Sequence, residues 1–315
     1  MNWQASPSAP RRPLRVAPPA HERQGLALGL LGVAIFALTL PMTRLAVGTP
    51  AAPQMSGLFI AMGRAAVAGL LSLALLRATR APLPRRGDWL PLAATALGVV
   101  FGFPLLTSIA MRHVEAVHAS VIVGLLPLAT AAVGAVLHRQ RPSAGFWACA
   151  AIGAALVVAF ALLRSGTQGL AIGPADLLLL AAMLCAAMGY GFGGQLSQRM
   201  RADAVICWAL AFSLPLTVPL AWAGRPAVAV PAAAWLAFGY LAVFSMWLGF
   251  FAWYRALALG GTVRVSQVQL VQPVLSMLFA IALLGESPDA ATMGFGLAVI
   301  ATVFIGKRMP VHAAH

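Results

Sequence analysis

The sequence predicts an all-α integral membrane protein: ten transmembrane helices arranged as two inverted five-helix repeats. Three observations carry that prediction. Of the 315 residues, 61% are hydrophobic and only 9% are charged, whereas a soluble domain carries about 25% charged residues. Ten apolar stretches each reach the roughly 20 residues that a bilayer crossing requires. The basic residues alternate unequally between the two sides of those stretches. A mean hydropathy of +0.89 argues against a soluble enzyme, a disordered chain or a disulfide-stapled secreted domain. A β-barrel would show period-two alternation in short segments, and the sequence has none.

Residues 1–24 hold five prolines and four arginines and no apolar core. They read as a basic tail near an anionic leaflet, neither a signal peptide nor a span. The predicted spans follow at 25–43, 56–76, 90–110, 117–137 and 145–163, then at 176–196, 204–223, 233–254, 265–284 and 290–306. The chain therefore divides into a tail (1–24), a first five-helix repeat (25–163), a second (164–306) and a short C-terminal tail (307–315). No connection is long enough to hold a soluble domain.

The net charge is +14. On a soluble protein that would suggest nucleic acid, but here the placement of the charges decides. Of 21 basic residues, 16 fall on the side of the N-terminus and four (Arg44, Arg112, Arg164, Arg225) on the other, while Arg64 lies inside the second span. By the positive-inside rule both termini are expected in the cytoplasm. One lysine among 21 basic residues, with abundant Ala, Gly and Arg, suggests a GC-rich bacterial genome and hence an inner membrane. Cys149, Cys185 and Cys207 all fall in spans and form no CxxC, so they read as small buried apolar groups. The glycines 189, 191, 193 and 194, and the GxxxG of Gly98 and Gly102, sit inside spans and read as close helix packing.

Residues 101–142 align without gaps on 247–288 at an offset of 146. The pairs Ala110/Ala256, Val117/Val263, Ser120/Ser266, Pro127/Pro273, Leu137/Leu283 and Pro142/Pro288 are identical. An odd number of spans per half makes the second half enter the membrane from the opposite side, a recurrent build among secondary transporters.

The stretch Trp253-Tyr254-Arg255-Ala256-Leu257, with Ser266, Pro273, Gly285-Glu286 and Pro288, resembles the second repeat of the EamA-type transporters of the drug/metabolite transporter superfamily. Ala110, Ser120 and Pro127 resemble the matching first-repeat positions, and Arg64 resembles a recurrent one. The resemblance covers essentially the whole chain. It implies a ten-helix carrier, usually an exporter of small metabolites such as amino acids. One departure stands out: His138-Arg139-Gln140 occupies the place of Leu284-Gly285-Glu286, so the helix-terminal glutamate occurs once.

Several residues are candidates for the transport site. Arg64 near mid-depth must meet a partner or water, because its burial costs at least about 2.5–3.5 kcal/mol. It could bind a substrate carboxylate or cap carbonyls of a broken helix. Pro127 and Pro273 free the carbonyls of Val123 and Gln269 and mark kinks that either gate the site or only shape packing. Ser266, Gln269 and Gln272 form one polar stripe, suited to ligand hydrogen bonds or to interhelical ones. Ser120 is the counterpart of Ser266. Trp247 and Tyr190 are candidates to bound the apolar part of a substrate. Trp253 and Tyr254 are expected in the interfacial belt.

All seven acidic residues lie in loops or near span ends. His118, at the start of the fourth span, is therefore the candidate for proton coupling, with a plain helix-end role as the alternative. No cofactor, metal site or nucleic-acid partner is expected; the partners are a small-molecule substrate and the bilayer. HExxH and GxSxG are missing and the histidines are scattered, which disfavours a membrane enzyme. A channel, or a carrier of purines, nucleosides or drug-like compounds, are the other readings.

Overall fold

The computed structural model describes residues 19–137, 140–164, 173–260, 265–309 and 311–313. The basic tail lies outside them up to residue 18. Ten apolar helices are present among the described residues. Seven are long enough to cross a membrane: α1 (Arg23–Val47), α2 (Gly57–Ala78), α3 (Arg86–Ala110), α4 (Ala116–Leu137), α6 (Pro174–Leu196), α7 (Ala202–Ala223) and α8 (Ala232–Leu259). Three are shorter: α5 (Ala144–Phe160), α9 (Val268–Leu284) and α10 (Ala290–Gly306). The eighth helix runs several residues beyond the end predicted for its span.

The two halves pack by one scheme. α1 lies along α8, and the equivalent pair α6 lies along α3. α1 also meets α9 as α6 meets α4, while α2 pairs with α7 and α5 with α10. Small residues set the closest approaches. A Cβ on Gly98 would meet the Cys185 carbonyl, and one on Gly189 would meet the Val99 side chain. Gly32 lets α1 sit against the backbone of Trp253. Such contacts replace a hydrophobic driving force that lipid does not supply between helices.

Departures from α geometry also recur near the offset of 146. π-helical turns occupy Ala96–Gly102 in α3 and Leu241–Leu248 in α8. α4 breaks at Gly124 and Leu125, so that one helix ends at Val123 and another starts at Leu126. A 3-10 stretch, Ser266–Val271, leads into α9 proper at Gln272. Pro127 and Pro273 stand just inside the restarted helices, where a missing N–H costs nothing.

Short strands Gln140–Pro142 and Val311–Ala313 pair antiparallel. They place the loop after α4 and the C-terminal tail at one end of the bundle. Trp253 and Tyr254 are fully buried, which corrects their expected place in the interfacial belt. The helix continues past them, so they sit between helices, and the Tyr254 hydroxyl donates to the Gly189 carbonyl at 3.2 Å. Cys149 and Cys207 are buried and Cys185 is half-buried; all three are free thiols.

Candidate functional site

α2 carries Arg64 into the interior on a face of small residues. Ala61, Ala65 and Ala68 are fully buried there, and Gly63 takes the ring of Phe238. Arg64 itself is 2% exposed. It lines a void with Phe36, Thr39, Tyr190, Ser245 and Gln272. Thr39 and Ser245 share a hydrogen bond of 2.9 Å. The Arg64 Nε and Nη1 atoms have no protein acceptor. Tyr190 stacks on Phe36 and meets Phe250 and Trp253 at ring distances of about 6 Å.

A second void adjoins the first through Gln272. It lies where the broken helices α4 and α9 face each other, lined by Ser120, Val123, Pro127, Gln269, Pro273 and Ser276. The offset of 146 relates its walls: Val123 answers to Gln269, Leu126 to Gln272 and Pro127 to Pro273. The wall from α4 is thus largely apolar and the wall from α9 largely polar. Both amide atoms of Gln269, Oε1 of Gln272 and Oγ of Ser276 have no protein partner. With Arg64 this makes six buried, unpartnered polar atoms on residues that line two adjoining voids. Buried polar groups without partners are costly, and groups that converge on one space supply a ligand or water site. The room open to water centres is about 20 Å³ beside Arg64 and about 10 Å³ beside Gln269, about one water apiece.

The fold therefore brings together Arg64, Tyr190, Ser120, Gln269, Gln272, Pro127 and Pro273. The Ser120 hydroxyl is spent on its own helix, donating to the Ala116 carbonyl at 2.7 Å. Trp247 does not line either void; it packs on the cluster of Leu76, Ala204 and Cys207, while Ser245, two residues earlier and so on the opposite face of the helix, lines the void beside Arg64. The side chain of Ser266 lies outside the described residues. Sequence reasoning missed Ser276, Thr39 and Ser245. Ser276 extends the stripe of Gln269 and Gln272 by four residues and was within reach of that pattern. Ser245 answers to Val99 at the repeat offset, and both line the void beside Arg64.

His118 stands apart, at the end of the bundle opposite the paired strands. Its Nε2 lies 2.7 Å from Oδ1 of Asp176, and both residues are buried. Asp176 also accepts from the Gly173 N–H at the start of α6. Its position near a span end was visible in the sequence; its partner was not. The same end carries three further ties. Arg44 Nη1 donates to the carbonyls of Met111 and Arg112 at 2.6 and 2.8 Å. Arg112 Nη2 donates to the Met55 carbonyl at 2.5 Å. Gly285, left-handed at φ 67°, ends α9 and turns the chain so that Glu286 reaches the N-terminus of α4. There the carboxylate accepts from the Ala116 and Val117 N–H groups at 2.9 and 2.8 Å. Among the described residues no group of His, Cys, Asp and Glu could hold a metal ion.

Likenesses to known proteins include a family, a curated relative and a solved structure. The model of the EamA-like transporter family matches residues 23–163 and 173–306, one match to each half. An uncharacterized transporter of Bacillus subtilis (strain 168), YdeK, is 42% identical over 284 residues, covering 89% of this chain and 96% of that protein. A solved crystal structure superposes with a TM-score of 0.60 at 20% identity, over 89% of this chain and 97% of that one. The last likeness concerns the fold alone.

Proposed function

The chain belongs to the EamA-like transporter family and is a multi-pass membrane transporter; from that premise we propose that it exports amino acids or similar small carboxylate-bearing metabolites by alternating access. The carrying observation is the convergence of unpartnered polar atoms of Arg64, Gln269, Gln272 and Ser276 on adjoining voids. The α9 atoms lie where the helices broken before Pro127 and Pro273 face each other across the two halves, and Arg64 lines the void that adjoins them at Gln272. The halves are inverted repeats, and their rocking about this site exposes it to each side in turn. Arg64 takes the carboxylate, the α9 amides bond polar groups, and Tyr190 with its neighbouring rings bounds the apolar end. Glu286 on the start of α4 and the His118–Asp176 pair tie the two halves together at the far end.

The test is counterflow. Proteoliposomes loaded with unlabelled amino acids are offered labelled ones, with protein-free vesicles as the control. Transient accumulation that competes with a few members of the mixture supports the reading. Its absence from folded protein removes amino acids as the cargo. An imposed pH gradient then asks whether a proton shares the cycle. Acceleration that disappears in His118→Gln assigns the proton to the His118–Asp176 pair.

A further inference from the structure

The cavity holds one formal positive charge and nothing to balance it. Arg64 is the cation. Among the described residues no aspartate or glutamate lines either void, and all seven acidic residues of the chain lie in loops or near helix ends. A buried guanidinium without a carboxylate partner is an expensive group. An anionic cargo supplies the missing partner. A zwitterion supplies it too, but brings an ammonium within several ångströms of the same guanidinium. In a low-dielectric cavity that repulsion is strong. Among the described residues, the unpartnered acceptors on the void walls that could receive the ammonium are the amide oxygens of Gln269 and Gln272 and the Ser276 hydroxyl, all of them neutral.

The rest of the lining agrees with a cargo of mixed character. Phe36, Phe103, Tyr190 and Phe250 wall the void around Arg64; in this conformation it has room for about one water, and a flat apolar body would sit among these rings once the helices part. The free Nε2 of Gln269 and the free oxygens of both amides suit a neutral hydroxyl or carbonyl next to the carboxylate.

We propose that the carried species is a monoanion, a carboxylate joined through a neutral polar carbon to a flat apolar body, with no ammonium group. The proposal rests on the two voids being the transport site, and within that reading it replaces amino acids by their carboxylate analogues that lack an ammonium. It has an electrical consequence. Net uptake of such a cargo moves one negative charge per molecule unless a co-ion travels with it, whereas net uptake of a neutral zwitterion moves none.

The probes are 3-phenyllactate and L-phenylalanine, which share one carbon skeleton and differ in hydroxyl against ammonium. Proteoliposomes of the full chain are tested with each by counterflow, and the phenyllactate net uptake is repeated under a potassium–valinomycin potential. The expected result is phenyllactate accumulation at least about tenfold above that of phenylalanine. Net uptake should rise when the interior is made positive, and Arg64→Gln should abolish it. Phenylalanine moving as well as phenyllactate overturns the proposal. If phenyllactate stays out while the amino acid mixture exchanges, the carrier reading stands and the monoanion reading falls. If nothing exchanges, both fall.

Discussion

Arg64 differs from most buried cations in that no protein acceptor depends on it. Removing one member of a buried ion pair strands the other charge, which costs several kcal/mol. Here there is no other member to strand. Arg64→Met, close in length and apolar, is therefore expected to melt at or above the wild-type temperature in detergent. The same variant is expected to lose at least about tenfold of its transport, since the cation is the group that takes the carboxylate. A large fall in melting temperature would instead make Arg64 a structural residue. Trp247 and Ser245 show how finely a residue's role depends on its turn. They are two positions apart, yet one packs on Cys207 and its neighbours while the other lines the void.

The N-terminus of α4 is held by a carboxylate from the other half of the chain. Glu286 satisfies two backbone N–H groups that a helix start leaves open and places negative charge at the positive end of the helix dipole. Glu286→Ala leaves both donors unpaired and is expected to cost about 1–2 kcal/mol, read as a lower melting temperature. Glu286→Gln keeps an acceptor and is expected to lose less. The proline-broken helices call for a kinetic test. In Pro127→Ala combined with Pro273→Ala, both positions regain an N–H and the ladder can close across each break. The variant is expected to stay folded and to exchange substrate several-fold more slowly, measured as the initial counterflow rate. Unchanged rates would reduce the two breaks to packing features.

At the scale of the whole molecule, charge predicts the orientation in the membrane. Sixteen basic residues on one side against four on the other predict cytoplasmic termini. The paired strands agree that the loop after α4 and the C-terminal tail share an end. A fluorescent protein fused after His315 is expected to fluoresce, and alkaline phosphatase inserted between α7 and α8 is expected to be active. The reverse pattern would invert the chain and turn the direction of transport with it.

Hydropathy was enough to find ten apolar helices, seven of them long enough to cross a membrane, because lipid punishes an unsatisfied backbone and leaves the helix as the only economical answer. The offset of 146 was enough to pair Pro127 with Pro273, and both line the second void. Arg64, Gln269 and Gln272 were legible one by one, since polar groups at membrane depth are too costly to be idle. What the sequence could not say is which of them meet. The convergence of Arg64 with Gln272, the ties of Asp176 to His118 and of Glu286 to α4, and the burial of Trp253 and Tyr254 all depend on how the helices are rotated and how closely they approach. Those quantities follow from π-helical turns, glycine contacts and broken helices, where local geometry departs from the regular period that a sequence pattern assumes.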